Sequence, residues 1–455
     1  RQRQMCIRDR NSIASSRELL NRFVSFYSNA SYTYDDKYVL SGSIRWDRSN
    51  LWGTNSKYQN KPLWSVGGSW NIYKEKFFQA DFVDMLKLRA SYGIGGNIGR
   101  NTAPYLIASY YDSSLVDGMA GSVNTPPNKD IRWEKTTTVN VGVDFALFRH
   151  RLSGTIEYYN KYSVDLLAAI NGSPTQGFGY TTLMTNNGKM VNRGVEITLS
   201  GEIIRQKDFS WNASLLYAFN RNKVKHISVQ PSLWDSRISM PTSYPMVGKP
   251  LYGIYAYKWA GLNENGDPQV YDAENNVTSG PARDYHALVY CGTTVPIHNA
   301  SLTNVLRYKG FEFSAMLILD AGHKLRSSNI PSINMSNGRI TSTAKGIVDR
   351  WTQPGDVTDV PRLLFSNDTE NFNTHRTELY RYSDLFVYDA SNIRLSNISL
   401  AYRVPAHWCK KISLSGARLQ FNVENVATFA FDSKANYDLG GKVKPNYVWG
   451  LYLNF

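Results

Sequence analysis

The stretch that decides the fold is Thr136 to Leu147, with the sequence TTTVNVGVDFAL. Small or polar residues occupy every second position from Thr138 to Asp144, and apolar residues occupy the positions between them: Val139, Val141, Val143, Phe145 and Leu147. Side chains of a β-strand point alternately to the two faces of a sheet. This stretch therefore predicts a strand with one apolar and one polar face.

The same pattern continues on the C-terminal side. Phe148-Arg149-His150 is predicted to turn the chain, residues 152–159 alternate again, and the period returns over residues 195–203. The first of these strands spans 12 residues, about twice the usual length of about 5–6 in soluble proteins. Long strands with one apolar face are typical of a membrane-spanning β-barrel.

Alternating segments recur through the whole chain. Fourteen are recognisable, at residues 23–34, 38–48, 63–73, 85–95, 136–147, 152–159, 195–203, 209–222, 251–261, 298–308, 311–322, 390–403, 415–427 and 446–455. Short and long connections alternate between them, as the turns and loops of outer-membrane barrels do. Strand directions counted from the two ends of the chain disagree between residues 262 and 297, so a further strand is expected near residues 284–291. The sequence predicts about fifteen strands of an all-β, antiparallel transmembrane barrel.

Composition narrows the class of protein. The chain has 30 Tyr and 11 Trp, residues suited to membrane interfaces. It has no run of 18 apolar residues, which excludes a transmembrane helix. The net charge of +14 comes from dispersed Lys and Arg, which favours a solvated surface or one facing anionic lipid headgroups over nucleic-acid binding.

The cysteines indicate no disulfide framework, and no signal peptide is visible at residue 1. The three cysteines, Cys6, Cys291 and Cys409, are far apart and indicate no disulfide framework. Residues 1–20 are left unassigned, and the first ten fit neither a strand nor a signal peptide. We expect a fragment that lacks its front end, in which residues 21–455 form one barrel domain.

No motif indicates catalysis, a metal or a cofactor. Gly93, Gly95 and Gly99 imitate a phosphate-binding glycine pattern, but no apolar helix follows them. His407 and Cys409 lack further metal ligands nearby in sequence. The segment from Asn265 to Asp272 has the wrong acidic spacing for a calcium loop, and a plain turn is favoured. The sequence predicts that the protein is not an enzyme.

Aromatic residues remain as candidate functional groups. Tyr110, Tyr111 and Trp234 lie in predicted outer loops, where they are candidates for stacking on a substrate; packing of loop against loop is the alternative, and the pattern favours it. The last strand contains Tyr447 and Trp449 and ends on Phe455. An alternating strand closed by a terminal aromatic predicts a barrel-assembly signal, the alternative being an ordinary last strand.

Several motifs, in order, resemble those of one family. They are residues 88–93 (LRASYG), 133–145 (WEKTTTVNVGVDF), 192–196 (NRGVE) and 392–402 (NIRLSNISLAY). The chain from about residue 20 to 455 resembles the C-terminal barrel of SusC/RagA-type TonB-linked outer-membrane proteins. The resemblance implies a barrel of about 22 strands that encloses an N-terminal plug, of which this chain would supply about fifteen strands and no plug.

The resemblance also implies a function. It is import of an oligosaccharide or oligopeptide across the Gram-negative outer membrane. The expected partners are a SusD-like surface lipoprotein, outer-membrane lipid, and the TonB complex, engaged through an N-terminal part absent here. Two alternatives stay open: a soluble extracellular β-sandwich that binds glycan, and a passive porin or autotransporter barrel.

Overall fold

The structure is a computed structural model of the 455-residue chain. It describes residues 22–455 except 52, 60, 98, 100–103, 114–117, 173–174, 176–181, 232–235, 281–283, 336–342, 366–373, 412 and 441–443. Residues 1–20, left unassigned by the sequence, lie outside this part.

Strands dominate the described residues. In chain order they are β1 (Phe23–Tyr34), β2 (Tyr38–Ser49), β3 (Leu63–Asn71), β4 (Val83–Asn97), β5 (Ile107–Ser113), β6 (Gly118–Thr125), β7 (Glu134–Leu147), β8 (Leu152–Asn171), β9 (Thr182–Arg205), β10 (Phe209–His226), β11 (Gly253–Tyr257), β12 (Trp259–Leu262), β13 (Pro268–Tyr271), β14 (Val277–Thr278), β15 (Leu288–Thr293), β16 (His298–Tyr308), β17 (Phe311–Ala321), β18 (Lys324–Arg326), β19 (Asn334–Met335), β20 (Leu364–Phe365), β21 (Val387–Asp389), β22 (Asn392–Arg403), β23 (Gly416–Ala430) and β24 (Asn446–Asn454).

Helices are short and lie in the connections. They are α1 (Ser56–Gln59), α2 (Ser236–Ser239), α3 (Thr374–Arg381), α4 (Ala406–Lys410) and α5 (Asn436–Leu439). In the described part of the chain, no helix is long and apolar enough to cross a membrane.

Thirteen long strands form one antiparallel sheet, which we call the wall. Its order is β1-β2-β3-β4-β7-β8-β9-β10-β16-β17-β22-β23-β24, so each wall strand pairs with the next wall strand along the chain. Strands β8 and β9 reach 20 and 24 residues. The predicted class, an antiparallel barrel fold, is confirmed.

The register places like side chains in rows. Leu88, Val143, Ile156, Ile197 and Tyr217 are successive cross-strand partners from β4 to β10. The adjacent row runs through Arg89, Gly142, Glu157, Glu196 and Ala218. The wall thus has one apolar and one polar face. In an outer-membrane barrel the apolar face meets lipid and the polar face lines the lumen, so we call them the outer and the inner face.

Connections of contrasting length separate the two ends of the wall. At one end, the turn end, β1–β2, β7–β8, β9–β10 and β16–β17 are joined by at most four residues. Asp35 and Asp36 are the central residues of a turn that the Lys37 N–H closes by donating to the Tyr34 carbonyl at 3.0 Å. Both have positive φ, 49° and 53°, as a type I′ turn between twisted strands requires. At the opposite loop end, residues 227–297 join β10 to β16 and residues 322–391 join β17 to β22.

The predicted number of strands was wrong. The described wall has thirteen strands rather than about fifteen, because residues 251–261 do not enter it. They supply β11, which pairs with β15, and most of β12, which pairs with β13, in two separate small sheets. The expected additional strand near residues 284–291 exists as β15, in the loops. The strand directions counted from the two ends of the chain disagreed because the count included one segment too many, not one too few.

The sandwich alternative also fails. It required strands about half as long and two sheets packed face to face, whereas the wall is a single sheet. Val141 is 48% exposed, and Val139, Val143 and Phe145 are only partly buried. The apolar side chains of the deciding stretch therefore face outward instead of filling a closed core.

The hydrophobic core lies at the loop end. The described parts of residues 227–297 and 322–391, which we call the loop module, contain the eight largest fully buried side chains: Tyr255, Tyr257, Tyr380, Ile333, Leu379, Val270, Pro268 and Pro361. Tyr255, Tyr257 and Val270 from the first connection pack with Leu379 from the second. The two longest connections thus fold as one body.

Candidate functional site: the inner wall and the loop module

An ion network occupies the inner face of three adjacent strands. Arg89 on β4 donates from Nε to both oxygens of Asp144 on β7, at 3.1 and 3.0 Å. Its Nη1 and Nη2 donate to Glu157 on β8, at 3.2 and 3.3 Å. Asn140 donates to the same Glu157, and Thr155 donates to Asp144 at 3.0 Å. The alternation of the sequence placed these polar residues together on one face.

Gly142 makes room for this network. It lies between Arg89 and Glu157 in the register, and a Cβ at this position would stand 3.2 Å from Cζ of Arg89. A larger residue here would push the guanidinium away from one of its two carboxylates. The glycine therefore lets one arginine bridge two neighbouring strands.

Much of the remaining inner face is neutral and polar. Cross-strand hydroxyl pairs join Ser43 with Ser65 at 2.7 Å, Thr136 with Ser163 at 2.8 Å, and Ser200 with Ser214 at 3.2 Å. Hydroxyls both donate and accept hydrogen bonds. This surface can therefore exchange hydrogen bonds with water, sugars or peptide groups without a strong preference for either sign of charge.

An ion triad around one buried arginine links distant parts of the loop module. Arg376 on α3 has a side chain only 3% exposed, and its Nε donates to Oδ1 of Asp267 at 3.1 Å. Arg362 donates to both oxygens of Asp267, at 3.1 and 2.8 Å. Arg376 also donates to the carbonyls of Ile333 and Arg362, at 3.1 and 2.7 Å. Burial lowers the pKa of Arg376, while its acceptors favour the charged form.

A second arginine joins the two connections through backbone carbonyls. Arg326 on β18 donates to the carbonyl of Tyr255 at 2.7 Å, and to those of Arg381 and Ser383 at 3.2 Å each. Its guanidinium also lies 5.5 Å from the ring centre of Tyr382. The sequence analysis missed both arginine sites, because their partners are 14 to 109 residues away along the chain.

A cavity of about 320 Å³ lies where the loop module meets the wall. Strands β8, β9 and β10 contribute Ala168, Met190 and His226, and the loop module contributes Pro245 and Leu251. Leu251 is fixed there by its backbone N–H, which donates to Asn222 at 2.7 Å. The cavity is largely apolar with a few polar groups, a lining suited to small organic groups.

Tyr110 and Tyr111 lie on a hairpin between β4 and β7. Both are exposed, 72% and 54% respectively. They are consecutive on β5 and pair with Gly121 and Ala120 of β6, so their rings project from opposite faces of the hairpin. One flat ligand therefore cannot stack on both. Trp234, the third predicted binding residue, lies outside the described residues.

The candidate metal positions have other contacts. Asp267 serves the two arginines described above, and Asp272 accepts the backbone N–H of Asn276 at 2.7 Å. Cys409 is buried, with Sγ 3.8 Å from the carbonyl of Val404. Among the residues that the structure describes, no group of three or more His, Cys, Asp or Glu side chains is arranged to hold a metal ion.

The last strand carries the predicted assembly residues on an exposed edge. Trp449 packs on Phe421 of β23 with 4.2 Å between ring centres, and Tyr447 stacks on the same ring at 6.4 Å. Phe455 is 92% exposed, and its carbonyl accepts a hydrogen bond from Ser415 at 3.3 Å. Strand β24 ends at the turn end of the wall, on the side of the short β9–β10 and β16–β17 turns.

Known proteins are similar to this chain in sequence and in fold. A family profile described as "TonB dependent receptor-like, beta-barrel" matches residues 8–426. TonB-dependent receptor P3 of Formosa agariphila is 27% identical over 456 residues, which cover 94% of this chain and 43% of the relative. TonB-dependent receptor SusC of Bacteroides thetaiotaomicron is 25% identical over 427 residues, covering 89% and 40%.

Among solved structures, that of the RagAB peptide transporter superposes with a TM-score of 0.76 at 24% identity, covering 96% of this chain and 48% of the other. The chain therefore spans less than half the length of these relatives. Barrels of this family lie in the outer membrane, with the loop end outside the cell. With its profile match over most of its length, the chain belongs to the TonB-dependent receptor β-barrel family, and its similarity to SusC and to the RagAB structure agrees with the predicted resemblance to SusC/RagA-type proteins.

Proposed function

We propose that this chain forms part of an importer that uses the TonB complex to take up a nutrient across the outer membrane. The observation that carries the proposal is the combination of a polar inner wall with a folded module at the loop end. A passive pore needs the first feature alone, whereas a receptor must also bind its ligand outside the cell. The family membership supports the receptor.

We propose an oligosaccharide or an oligopeptide as the substrate. The inner face offers hydroxyl pairs and ion networks of mixed sign, Arg89 with Asp144 and Glu157 among them, which suits a neutral polymer with many hydrogen-bonding groups. The similar RagAB structure is that of a peptide transporter. A SusD-like lipoprotein covering the loop end is the partner that fits this arrangement.

Energy dependence tests the proposed import. Cells that express the intact receptor should take up the labelled substrate, and this uptake should stop when TonB is deleted or the proton gradient is collapsed. A passive porin would continue to admit substrate under both conditions. Uptake that persists without TonB would therefore overturn the proposal, provided that equal amounts of the receptor are present in the outer membrane.

The exposed tyrosines are proposed to contact the substrate. Replacement of Tyr110, Tyr111 and Trp234 together by Ala should impair growth on the transported polymer. Each stacking contact is worth about 0.5–1.5 kcal/mol by analogy with aromatic pairs, so about a several-fold rise in half-saturating substrate concentration is expected. Because Tyr110 and Tyr111 project from opposite faces, their single variants should differ in effect. The matched control is Tyr252→Ala, which removes another exposed loop tyrosine. Equal uptake by the triple variant and the parent would show that these rings do not contact the substrate and only pack within the loops.

The terminal strand is proposed to direct assembly. Deletion of Phe455, or Phe455→Asp, should reduce the amount of folded, heat-modifiable receptor in outer-membrane fractions by about several-fold. The reason is that β24 presents alternate aromatics on an open edge, and the variants remove the last of them. Phe429→Asp, an exposed aromatic on β23, controls for a general effect of a charge. Equal folded amounts in parent and Phe455 variants would refute the proposal.

A further inference from the structure

The outer face of β9 and β10 changes chemical character at one row of the sheet. Val195 on β9 pairs with Phe219 on β10, and both end a run of apolar outer positions. The next row toward the loop end pairs Arg193 with Arg221, and the row after it pairs Val191 with Lys223. The surface therefore passes from apolar to cationic within one row.

The three cations, Arg193, Arg221 and Lys223, form what we call the basic patch. All three are exposed. Arg193 donates from Nε to Asn160 at 3.1 Å, a bond that does not use its two terminal amino groups. Among the described residues, none of the three forms an ion pair with a carboxylate.

The neighbouring carboxylates on β8 and β9 do not neutralise the patch. Glu157 and Glu196 are cross-strand partners and lie on the inner face, where Glu157 binds Arg89. Arg89 on the inner face is thus paired with carboxylates, whereas the three cations of the basic patch keep a net charge of three on the outer face. Like charges so close together are unfavourable unless an anion or solvent lies between them.

The patch lies at the height of lipid headgroups. On β10 the apolar outer positions run from Trp211 to Phe219, eight residues apart. With a rise of about 3.3 Å per residue and a tilt of about 40°, this stretch spans roughly 20 Å across the membrane, close to the apolar band of about 25 Å in such barrels. Arg221 is the next outer residue, on the side of the long loops, which face outside the cell.

We propose that the basic patch binds the phosphate groups of phosphorylated glycolipid in the outer leaflet. Guanidinium groups match phosphate oxygens in a two-pronged geometry, and lysine adds a point charge. Phe219 and the ring of His298, 5.3 Å apart, lie in the row below and would contact the start of the acyl region. A soluble anion could bind the charges but would gain nothing from these adjacent rings, so the site suits a lipid.

Retention of lipid A by the intact receptor tests the proposal. The receptor is purified in a neutral detergent, incubated with bis-phosphorylated lipid A, and analysed by native mass spectrometry. The variant Arg193→Gln/Arg221→Gln/Lys223→Gln should bind lipid A at least about tenfold more weakly than the parent. Lipid A without phosphates should bind the parent as weakly as the variant binds the phosphorylated form. Inorganic phosphate should compete poorly.

Two further variants keep the test decisive. The charge-preserving variant Arg193→Lys/Arg221→Lys should retain most of the binding, which separates charge from folding. The control Arg149→Gln/Lys207→Gln/Lys309→Gln removes three exposed cations at the turn end and should bind like the parent. Equal retention by the parent and the basic-patch variant would overturn the proposal. Strong competition by inorganic phosphate would overturn it in favour of a site for a soluble anion.

Discussion

The wall and the loop module are both built from strands, but opposite environments stabilise them. In the wall, Tyr158 is 44% exposed and Val141 is 48% exposed, because the bilayer supplies the apolar surroundings. In the loop module, Tyr255 and Tyr257 are at most 1% exposed, and strands of two to six residues surround them. The wall therefore depends on continuous backbone ladders, and the module depends on a packed core.

The ion pairs of the two regions differ in the same way. Arg89 in the wall is 34% exposed and is shared between two carboxylates. Arg376 in the module is 3% exposed and shares a single carboxylate with Arg362. Loss of one partner leaves Arg89 with a second carboxylate and with water. The same loss leaves Arg376 buried with carbonyl oxygens alone, so the module should be far less tolerant of substitutions.

The largest expected difference comes from one substitution made in both regions. Tyr257→Ala should destabilise the loop module by about 3–5 kcal/mol, because it leaves a cavity at a fully buried position. Tyr158→Ala in the wall should cost less than about 1.5 kcal/mol, since lipid fills the vacated space. Hydrogen exchange of the intact receptor, read separately for β11 and β8, measures both.

Cooperativity between the two regions is the alternative that this experiment can reveal. If Tyr257→Ala accelerated exchange in β8 as strongly as in β11, the module and the wall would unfold as one unit. The proposed separation would then be wrong. Tyr257→Phe is the matched control. It keeps the ring and removes only the hydroxyl, so it should accelerate exchange in β11 much less than Tyr257→Ala does and should leave exchange in β8 unchanged.

A smaller difference is expected from removal of one charge in each region. Asp267→Asn should cost the loop module about 2–3 kcal/mol, somewhat less than the about 3–5 typical of fully buried pairs, because Asp267 is 21% exposed. Asp144→Asn in the wall should cost about 0–1 kcal/mol, because Glu157 continues to bind Arg89. Limited proteolysis near α3 reports the first effect, and heat-modifiability of the barrel reports the second.

A double variant tests whether Arg376 and Asp267 stabilise the loop module as a pair. Arg376→Met removes the cation that needs Asp267 as its partner. The double variant Arg376→Met/Asp267→Asn should therefore lose less stability than the sum of the losses in the two single variants. Strict additivity would show that the triad contributes nothing as a unit. In that case the module would depend on its hydrophobic core alone.

The wall could be predicted from the sequence because its rule is local. Each outer residue is followed by an inner residue, and thirteen segments repeat that rule with short turns at one end. The number of wall strands was overestimated because one segment has alternating apolar residues but does not belong to the wall. Residues 251–261 contain Ile254 and Ala256, which are as apolar as any outer position, but they are buried in the module. The two-residue period of apolar residues alone cannot show whether a strand packs against lipid or inside a protein core.

The loop module could not be predicted because its contacts are non-local. Asp267 reads as part of an Asn-Gly-Asp turn, and nothing near it in the sequence indicates Arg362 or Arg376. Tyr110 and Tyr111 show the converse limit. Adjacent tyrosines suggest one platform, but the strand conformation of β5 places their rings on opposite faces. The sequence could propose a candidate site in the long loops, but how the residues of these loops are arranged required coordinates.

The smallest expected effect is a pH dependence confined to the base of the loop module. His323 follows β17 and is 9% exposed, and its Nδ1 has no hydrogen-bond partner among the described residues. Burial lowers its pKa, although Asp320 and Asp389 act in the opposite direction. The folded module thus prefers neutral histidine. Its local stability should be complete above the unfolded pKa of about 6.5 and should decrease as the pH falls toward the lower folded pKa.

Hydrogen exchange in β18 and β21, corrected for intrinsic rates, should therefore be faster at about pH 5 than at about pH 7, and His323→Gln should remove this difference. Asp389, beside His323 in the same region, does not confuse the result. Burial opposes its ionisation, but hydrogen bonds from Ser391 and the contact with Lys324 lower its pKa to about 2, so its own loss of stabilisation begins only below about pH 4. The same pH dependence in His323→Gln and the parent would assign the effect to another group. Because β8 contains no histidine, its exchange provides the internal control, and a change there would contradict the separation of module and wall.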